Sequence, residues 1–560
     1  MLQPLQVLDL ILLLAPVLGV AWALAAYISR VYSLGDSTSA SGMDNRIFAP
    51  IENAIYRIVA VNPLHMMGWK EYALSAIIVN LVQMVIAALI LAFQGVLPLN
   101  PQGYPGLSWH LIFNIVTSFA TNTDLQHYRG ETTLSYFSQM TAIQFLQFTA
   151  AATGISIAVA MVRCFVAGAK DLGNFYVDFT RSLTRILLPM CLIASVIFVA
   201  LGVPQSLGGY EMVKTVEGAT QTIIVGPVAS LVAVMQLGTN GGGYFGANSA
   251  YPFQNPSPAT DALQIFLMLL IPTSLCFVFG RMIGRKRESL PIIVGAYALF
   301  VIDLAIAFTP NPVAIGPGLE TRFGGFMSTF WTVVTTAAGT GSLNSLLSGM
   351  NPLAILSALL GMMIQATPGG SGLGLMYMLM FVVITVFIVG LMSGRTPEYL
   401  GMKIIARDVK LVMLAFLVHP IIVIVPTFIA FASGAPAAIG VGTNSIGFTK
   451  ILYEFTSAAA NNGSDFLGAS AASSPFFNVS TGVVMLLGRY LPIVLLLALG
   501  GSMIGRNRST NPASLKTSSI SFSVVLIASI ILLVALTFFP FLALGPILSY
   551  FQGSIMNGFG

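Results

Sequence analysis

Long apolar runs separated by short polar intervals make up almost all of this chain. Ten runs are long enough to cross a bilayer, which takes about 20 apolar residues. They predict transmembrane helices at Pro4–Ile28, Tyr72–Leu97, Phe137–Val162, Leu183–Val203, Ala262–Ile283, Leu290–Phe308, Leu373–Met392, Leu411–Phe431, Val479–Ile504 and Ile520–Leu544. A second pattern lies between them. The run Gly226–Leu237 is too short to span and ends in a Gly-rich turn, Leu237–Gly246 (LGTNGGGYFG). A short helix that enters a membrane and breaks at Thr-Asn-Gly leaves carbonyls unpaired. In hydrocarbon each costs several kcal/mol, so such backbone is tolerated only where it lines a cavity or is buried in protein. Taken alone, the stretch reads equally well as a turn outside the membrane.

The stretch does not stand alone. Leu111–Gln126, Phe326–Asn344 and Ile451–Phe466 repeat the design, a dozen or so apolar residues ending in a small polar turn. Aligned on those turns they read ATNTD, GTNGG, GTGS and NNGS. This register places Asn122, Asn240, Thr340 and Asn462 at one position, followed by Thr123, Gly241, Gly341 and Gly463. The spacing is too long for a solenoid repeat and fits a unit of span, re-entrant loop and span. Four units tile the chain at 72–163, 181–287, 289–395 and 410–508, with one extra helix at each end, 4–28 and 520–544. The expected fold is therefore an all-α polytopic membrane protein. It is a single membrane domain over 1–560, with ten transmembrane helices and four membrane-pore-membrane repeats around one pseudo-fourfold ion pore.

Composition agrees. The chain has 560 residues, 56% hydrophobic and only 8% charged, with a mean hydropathy of +0.88, against about 25% charged residues in soluble proteins. Charge also sets topology. Arg30, Arg46, Arg57, Lys70, Arg163, Lys170, Arg181, Arg185, Arg281, Arg285, Lys286, Arg287, Arg395, Lys403, Arg407, Lys410, Arg506, Arg508 and Lys516 fall in alternate connections. The other connections hold only Arg129, Lys214, Arg322 and Lys450. The positive-inside rule puts the first set in the cytoplasm, so both termini face outward. The net charge of +5 is then a topology signal and no support for nucleic-acid binding. The N-terminal run lacks a basic segment before its apolar core, which favours a transmembrane helix over a cleaved signal peptide despite the small-residue spacing Ala21-Trp22-Ala23.

Four short helices entering from outside aim their partly negative C-terminal ends at one centre. Glycine at the turns lets backbone oxygens approach closely, and rings of carbonyls that replace a hydration shell are how potassium filters work. Divalent cations such as Ca²⁺ usually take carboxylate ligands, and the ring at the aligned positions carries none, so K⁺ is favoured over Ca²⁺ or Mg²⁺. Sequence physics does not separate K⁺ from Na⁺. The candidate K⁺ ligands are Thr121, Asn122, Thr123, Thr239, Asn240, Gly241, Gly339, Thr340, Gly341, Asn461, Asn462 and Gly463. Asp124, Glu131, Glu454 and Asp465 lie near the mouths, either as cation-focusing charges or as ordinary loop charges and caps. Two charges fall inside spans, Asp303 and Arg489. A charge at mid-bilayer costs at least about 2.5–3.5 kcal/mol, so each should face the interior with a partner. Arg489 reads either as an electrostatic barrier beneath the filter or as a structural ion pair or interfacial anchor. The segment Gln365–Gly374 (QATPGGSGLG) fits an outer hinge, a broken helix or a gating loop.

Other chemistry is missing from the sequence. His65, His110, His127 and His419 show no metal-ligand spacing, and Cys164, Cys191 and Cys276 stand singly in or beside apolar runs. There is no GxxxxGK[ST], no Asp-Lys-Thr phosphorylation motif and no hydrophilic stretch large enough for a nucleotide domain. ATP chemistry is expected elsewhere, and this chain is not read as an enzyme.

At the four turns the chain resembles the potassium-binding subunits of Kdp-type potassium-transporting ATPases, of the superfamily of channel-like K⁺ transporters. TNTDLQ (Thr121–Gln126), GTNGGGYF (Gly238–Phe245), NNGSDF (Asn461–Phe466) and GRTPEYLGMKI (Gly394–Ile404) carry the likeness, which spans essentially the whole chain. The resemblance implies a bacterial inner-membrane subunit that takes K⁺ from outside into a selectivity filter. The ion would pass through an intramembrane tunnel to a separate P-type ATPase subunit, with a small single-span subunit completing the complex. It implies a filter role for Gln126 and matches Arg489 to an intramembrane Arg near the filter. The third turn departs from the pattern, reading Gly339-Thr340-Gly341 where the family carries Cys-Gly. A passive K⁺ channel or uniporter on the same fold is the alternative.

Overall fold

The computed structural model describes residues 4–33, 43–309, 319, 321–508 and 516–552. Among them, ten helices are long and apolar enough to cross a membrane: Pro4–Val31, Trp69–Val96, Tyr136–Cys164, Phe175–Ala200, Pro258–Met282, Lys286–Ala307, Leu373–Met392, Ala406–Ala432, Pro475–Met503 and Ile520–Phe551. Each overlaps one of the ten runs read from hydropathy. Four shorter helices are the pore helices: Trp109–Ala120, Val228–Leu237, Gly324–Ala337 and Ser445–Ala459. At 1.5 Å per residue they are roughly 15–22 Å long, so each ends well inside a hydrocarbon core of about 30 Å.

Burial sorts the spans into an inner and an outer ring. The spans that follow a pore helix have 61–89% of their most apolar window buried, those that precede one 28–50%, and the first and last helices 17% and 33%. The second span of each unit therefore lines the centre, while the first spans and terminal helices present Leu, Ile and Val to lipid. The inner span Tyr136–Cys164 contains a π-helical turn at Gln139–Ile143, a departure common at functional sites. Its C-terminal end is tied by Arg163, whose Nη2 donates to Asp178 Oδ1 at 2.8 Å, with Tyr72 Oη donating to Asp178 Oδ2 at 2.9 Å.

Three features were not apparent from hydropathy alone. A helix at Met43–Ile58 precedes the first unit and is held by the Glu52–Arg185 ion pair, 2.6 Å apart. A hairpin of Glu211–Lys214 and Thr220–Ile223 lies before the second pore helix. The third unit returns by a broken helix: Pro352–Ile364, then an irregular segment, then Leu373–Met392. Of the three readings of Gln365–Gly374, an outer hinge is excluded. The segment packs beneath the turns, with Gly369 N donating to Ala337 O at 2.8 Å and Ser371 N to Thr239 Oγ1 at 2.9 Å.

Candidate functional site: four helix ends around one axis

All four pore helices end the same way. The residue after the cap has a left-handed backbone: Asn122 (φ 63°), Thr239 (φ 53°), Gly339 (φ 57°) and Asn461 (φ 51°). The next amide reaches back to the helix: Thr123 N to Ser118 O (3.0 Å), Asn240 N to Met235 O (2.8 Å), Thr340 N to Thr335 O (2.8 Å) and Asn462 N to Ser457 O (3.0 Å). This is a Schellman ending, in which a left-handed residue satisfies the last orphan carbonyls. Glycine and asparagine suit that position; threonine, being β-branched, is an outlier there, and Thr239 is held by the Ser371 amide.

The shared ending corrects the register. Asn122 pairs with Thr239, Gly339 and Asn461, not with Asn240, Thr340 and Asn462. Thr123 takes the Asn240–Thr340–Asn462 position, and Asp124 takes the Gly241–Gly341–Gly463 position. The first turn was misaligned by one residue because its asparagine was matched to asparagine, whereas the end of the helix sets the frame. Asp124 consequently belongs to the turns and not to their mouths, so a carboxyl is built into one of them. It also carries a left-handed φ of 58°, and its Oδ2 accepts from Gln147 Nε2 at 3.0 Å.

These positions meet in space. A methyl on Gly241 would lie 2.7 Å from Thr123 O and 2.9 Å from Asn462 O. One on Gly463 would overlap Thr123 O and sit 3.1 Å from Gly241 Cα, and one on Gly341 would overlap Asn462 O. Residues more than 300 apart in sequence thus bring their backbones into contact around one axis, and no side chain fits at the glycines.

The side chains of the turns divide their labour. Amide nitrogens are spent on ties to neighbouring turns and helices: Asn122 Nδ2 to Thr239 O (2.6 Å), Asn240 Nδ2 to Gln147 O (3.2 Å), Asn461 Nδ2 to Thr123 Oγ1 (2.9 Å) and Asn462 Nδ2 to Thr335 O (3.1 Å). The buried oxygens Asn122 Oδ1, Asn240 Oδ1 and Asn461 Oδ1, and the Thr340 hydroxyl, have no partner among the described residues. Thr121 Oγ1 and Thr123 Oγ1 bond each other at 2.7 Å. Buried polar atoms are normally paired. A cluster whose amide donors are used and whose oxygens are left over suits a cation.

Gln126 acts as a clamp: its Nε2 donates to Gly243 O at 3.0 Å and its Oε1 accepts from Gly243 N at 2.9 Å. Gln147, on the inner span, joins turn 1 to turn 2 by donating to Gly242 O at 2.7 Å. Gln147 was missed in the sequence, although three glutamines inside one apolar span (Gln139, Gln144, Gln147) were a signal for it. The Gln126→Leu variant loses two hydrogen bonds, each contributing about 0.5–1.5 kcal/mol. It is expected to weaken cation binding at the turns by roughly tenfold, which a K⁺-binding titration of the purified chain reads directly.

Beneath the turns lies a cavity of about 20 Å³, bounded by Asn122, Gly339, Asn461, Asn462, Gln365, Gly370, Ser371 and Arg489, room for one water-sized particle. Arg489 is 3% exposed. Its Nη2 donates to Ala150 O at 3.0 Å, and among the described residues it forms no ion pair. The structural-pair reading of Arg489 thus finds no carboxylate. Asp303 is separate from this cluster. It is buried on Lys286–Ala307 beside Pro352–Ile364, where Ser357 Oγ donates to its backbone carbonyl at 2.8 Å. Its Oδ2 has no hydrogen-bond partner among the described residues, contrary to the partner expected.

Just past the turns in the chain, Glu131 Oε2 accepts from Gly246 N at 2.7 Å, while Glu454 and Asp465 gather beside His127. Burial and the Glu454 carboxylate push Asp465 above the usual carboxylate range. Burial works against the charged imidazolium of His127, but the hydrogen bond and charge of Glu454 outweigh it and raise its pKa.

The sequence model of the potassium-transporting ATPase A subunit family matches residues 11–551. A "Potassium-transporting ATPase potassium-binding subunit" of Alicyclobacillus acidocaldarius is 44% identical, covering 97% of this chain and 98% of the relative. One of the same name from Caldanaerobacter subterraneus is 43% identical, covering 90% and 92%. The crystal structure of the potassium transporter TrkH from Vibrio parahaemolyticus matches with a TM-score of 0.51 at 15% identity, covering 89% of this chain and 98% of that one. That likeness concerns the fold.

Proposed function

This chain belongs to the potassium-transporting ATPase A subunit family, and from that premise we propose that its four helix ends form a K⁺ selectivity filter feeding an ATP-driven uptake complex. The observation that carries the reading is the surplus of buried, unpartnered oxygens at the meeting point of four identically terminated pore helices. Carbonyls and amide oxygens at that point replace the hydration shell of a monovalent ion, drawn from Thr121, Asn122, Thr123, Thr239, Asn240, Gly241, Gly339, Thr340, Gly341, Asn461, Asn462 and Gly463. The C-terminal ends of the pore helices add negative potential there. Gln126 and Gln147 hold the first two turns together behind the ion.

K⁺ enters from the outer side, rests in the filter and meets the cavity below. Arg489 and the break Gln365–Gly372 form the floor of that cavity, so the ion does not fall straight through. It leaves sideways through an intramembrane tunnel toward a P-type ATPase catalytic subunit, which binds and hydrolyses the ATP that this non-catalytic chain does not. A small single-span subunit completes the assembly. The repeats run 72–163, 181–287, 289–395 and 410–508 in a bacterial inner membrane, with both termini outside.

Purification of the chain from its native membrane tests this. Co-purification of a P-type ATPase whose hydrolysis is stimulated by K⁺ is the expected result. Potassium flux through liposomes holding this chain alone, without ATP, would instead identify a passive channel.

A further inference from the structure

Beyond the filter, the outer mouth holds a second set of donor atoms that the K⁺ pathway does not use. His127 lies three residues past Asp124, and Asp465 two past Gly463, so the set bridges turns 1 and 4. Glu454 reaches it from the fourth pore helix. A ring nitrogen of His127 and a carboxylate oxygen from each of Glu454 and Asp465 all lie within 4.8 Å of one another, and His127 and Glu454 are completely buried. Two observations point to a bound cation. The first is the orientation of the imidazole. Asn478 spends Nδ2 on Ala472 O (3.0 Å) and on His110 Nδ1 (2.9 Å), which turns its Oδ1 toward His127 Nδ1 at 2.7 Å. An amide oxygen only accepts, so Nδ1 carries the hydrogen and Nε2 is directed at the Glu454 carboxylate, 2.9 Å away. The gap between Nε2 and that carboxylate takes either the proton of a His127–Glu454 ion pair or a metal in its place, and a metal-bound His is ordinarily oriented in this way, by a hydrogen bond from its other ring nitrogen. The second is Asp465. Its Oδ1 is used by the amides of Leu467 (2.7 Å) and Gly468 (2.6 Å), while its Oδ2 is buried without a partner.

We propose that His127, Glu454 and Asp465 bind a divalent transition-metal cation, with Zn²⁺ as the type case, at the outer mouth of the pore. One imidazole nitrogen and two carboxylate oxygens with a fourth position left to water form a familiar zinc sphere. The imidazole selects against the transported ion and against Mg²⁺ and Ca²⁺, which take oxygen ligands. The metal takes the place of the hydrogen shared by Nε2 and Glu454, which leaves as a proton. Because its ligands come from turn 1, the fourth pore helix and turn 4, the bound metal fastens these elements together directly above the filter and slows the access of K⁺. The site stands on its own geometry, whatever the destination of the ion.

Zinc titration of the full-length chain in detergent, read by a competing chromophoric chelator, tests the proposal. Saturable binding of one Zn²⁺ per chain is expected. It should weaken at least about tenfold, the lower end of the effect of even an outer-sphere ligand change, in both His127→Ala and Asp465→Asn. The second variant retains the Oδ1 acceptor for Leu467 and Gly468, so it separates ligand loss from misfolding. The absence of saturable binding, or binding that neither substitution weakens, would overturn the assignment.

Discussion

Replacing Gly463 with alanine is expected to reduce apparent K⁺ affinity by roughly 5- to 150-fold while leaving the chain folded. The position has φ +99° and its Cβ would overlap the Thr123 carbonyl oxygen, with Gly241 Cα at 3.1 Å. Holding a non-glycine residue in such a conformation costs on the order of 1–3 kcal/mol, and each 1.4 kcal/mol is about tenfold in a binding constant. The overlap falls on two other turns, so the backbone that moves is the proposed coordinating backbone. The measurement is the K⁺ concentration dependence of ATP hydrolysis by the complex. Gly202→Ala supplies the control, since that glycine also has a positive φ, +96°, but no neighbour within 4 Å of the added methyl. It should leave K⁺ affinity unchanged. If Gly463→Ala does so too, the turns are not the binding site.

The second large effect concerns Arg489. The guanidinium lines the cavity beneath the turns and forms no salt bridge with a carboxylate among the described residues, so its positive charge faces the cavity without a paired counter-ion. A fixed charge in a water-poor pore opposes a cation strongly, because Coulomb energy grows as the effective dielectric constant falls. Arg489→Gln keeps a polar side chain able to donate to Ala150 O but removes the charge. The expected result is K⁺ movement that no longer depends on ATP, seen as ⁸⁶Rb⁺ flux into vesicles depleted of ATP, together with ATP hydrolysis that responds less to K⁺. Lower protein yield with transport still fully ATP-coupled would assign Arg489 a structural role alone.

Most of the frame was legible in the chain because bilayer thickness fixes the length of a span. Hydropathy located all ten crossing helices, and the short runs before Thr121, Thr239, Gly339 and Asn461 became pore helices. The meeting of the turns was legible as well, since four glycine- or asparagine-bearing turns recur at one spacing. The register of turn 1 was not. Residue identity suggested aligning Asn122 with Asn240, whereas backbone hydrogen bonding makes Asn122 the counterpart of Thr239, and a threonine in a left-handed conformation is a choice that sequence statistics disfavour. The same slip hid Asp124 as a member of the turns. Gln365–Gly374 stayed open because a glycine-rich segment is compatible with any of its three readings. Contacts from Ala337 and Thr239, distant in sequence, decide its place. The helix Met43–Ile58 is too short and too polar to register as a span. The mouth carboxylates read as cation-focusing charges or as loop charges and caps, and His127 as a scattered histidine, because only folding brings His127 to Glu454 and Asp465.

The central claim is that K⁺ is held where the four turns meet. Anomalous diffraction from crystals grown in Rb⁺, a heavier stand-in for K⁺, tests it most directly. The expected result is an anomalous peak on the axis between the turns, ringed by oxygens of Thr123, Asn240, Thr340 and Asn462 and displaced when K⁺ is restored. A strong Rb⁺ peak elsewhere in the protein, with none between the turns, would contradict it.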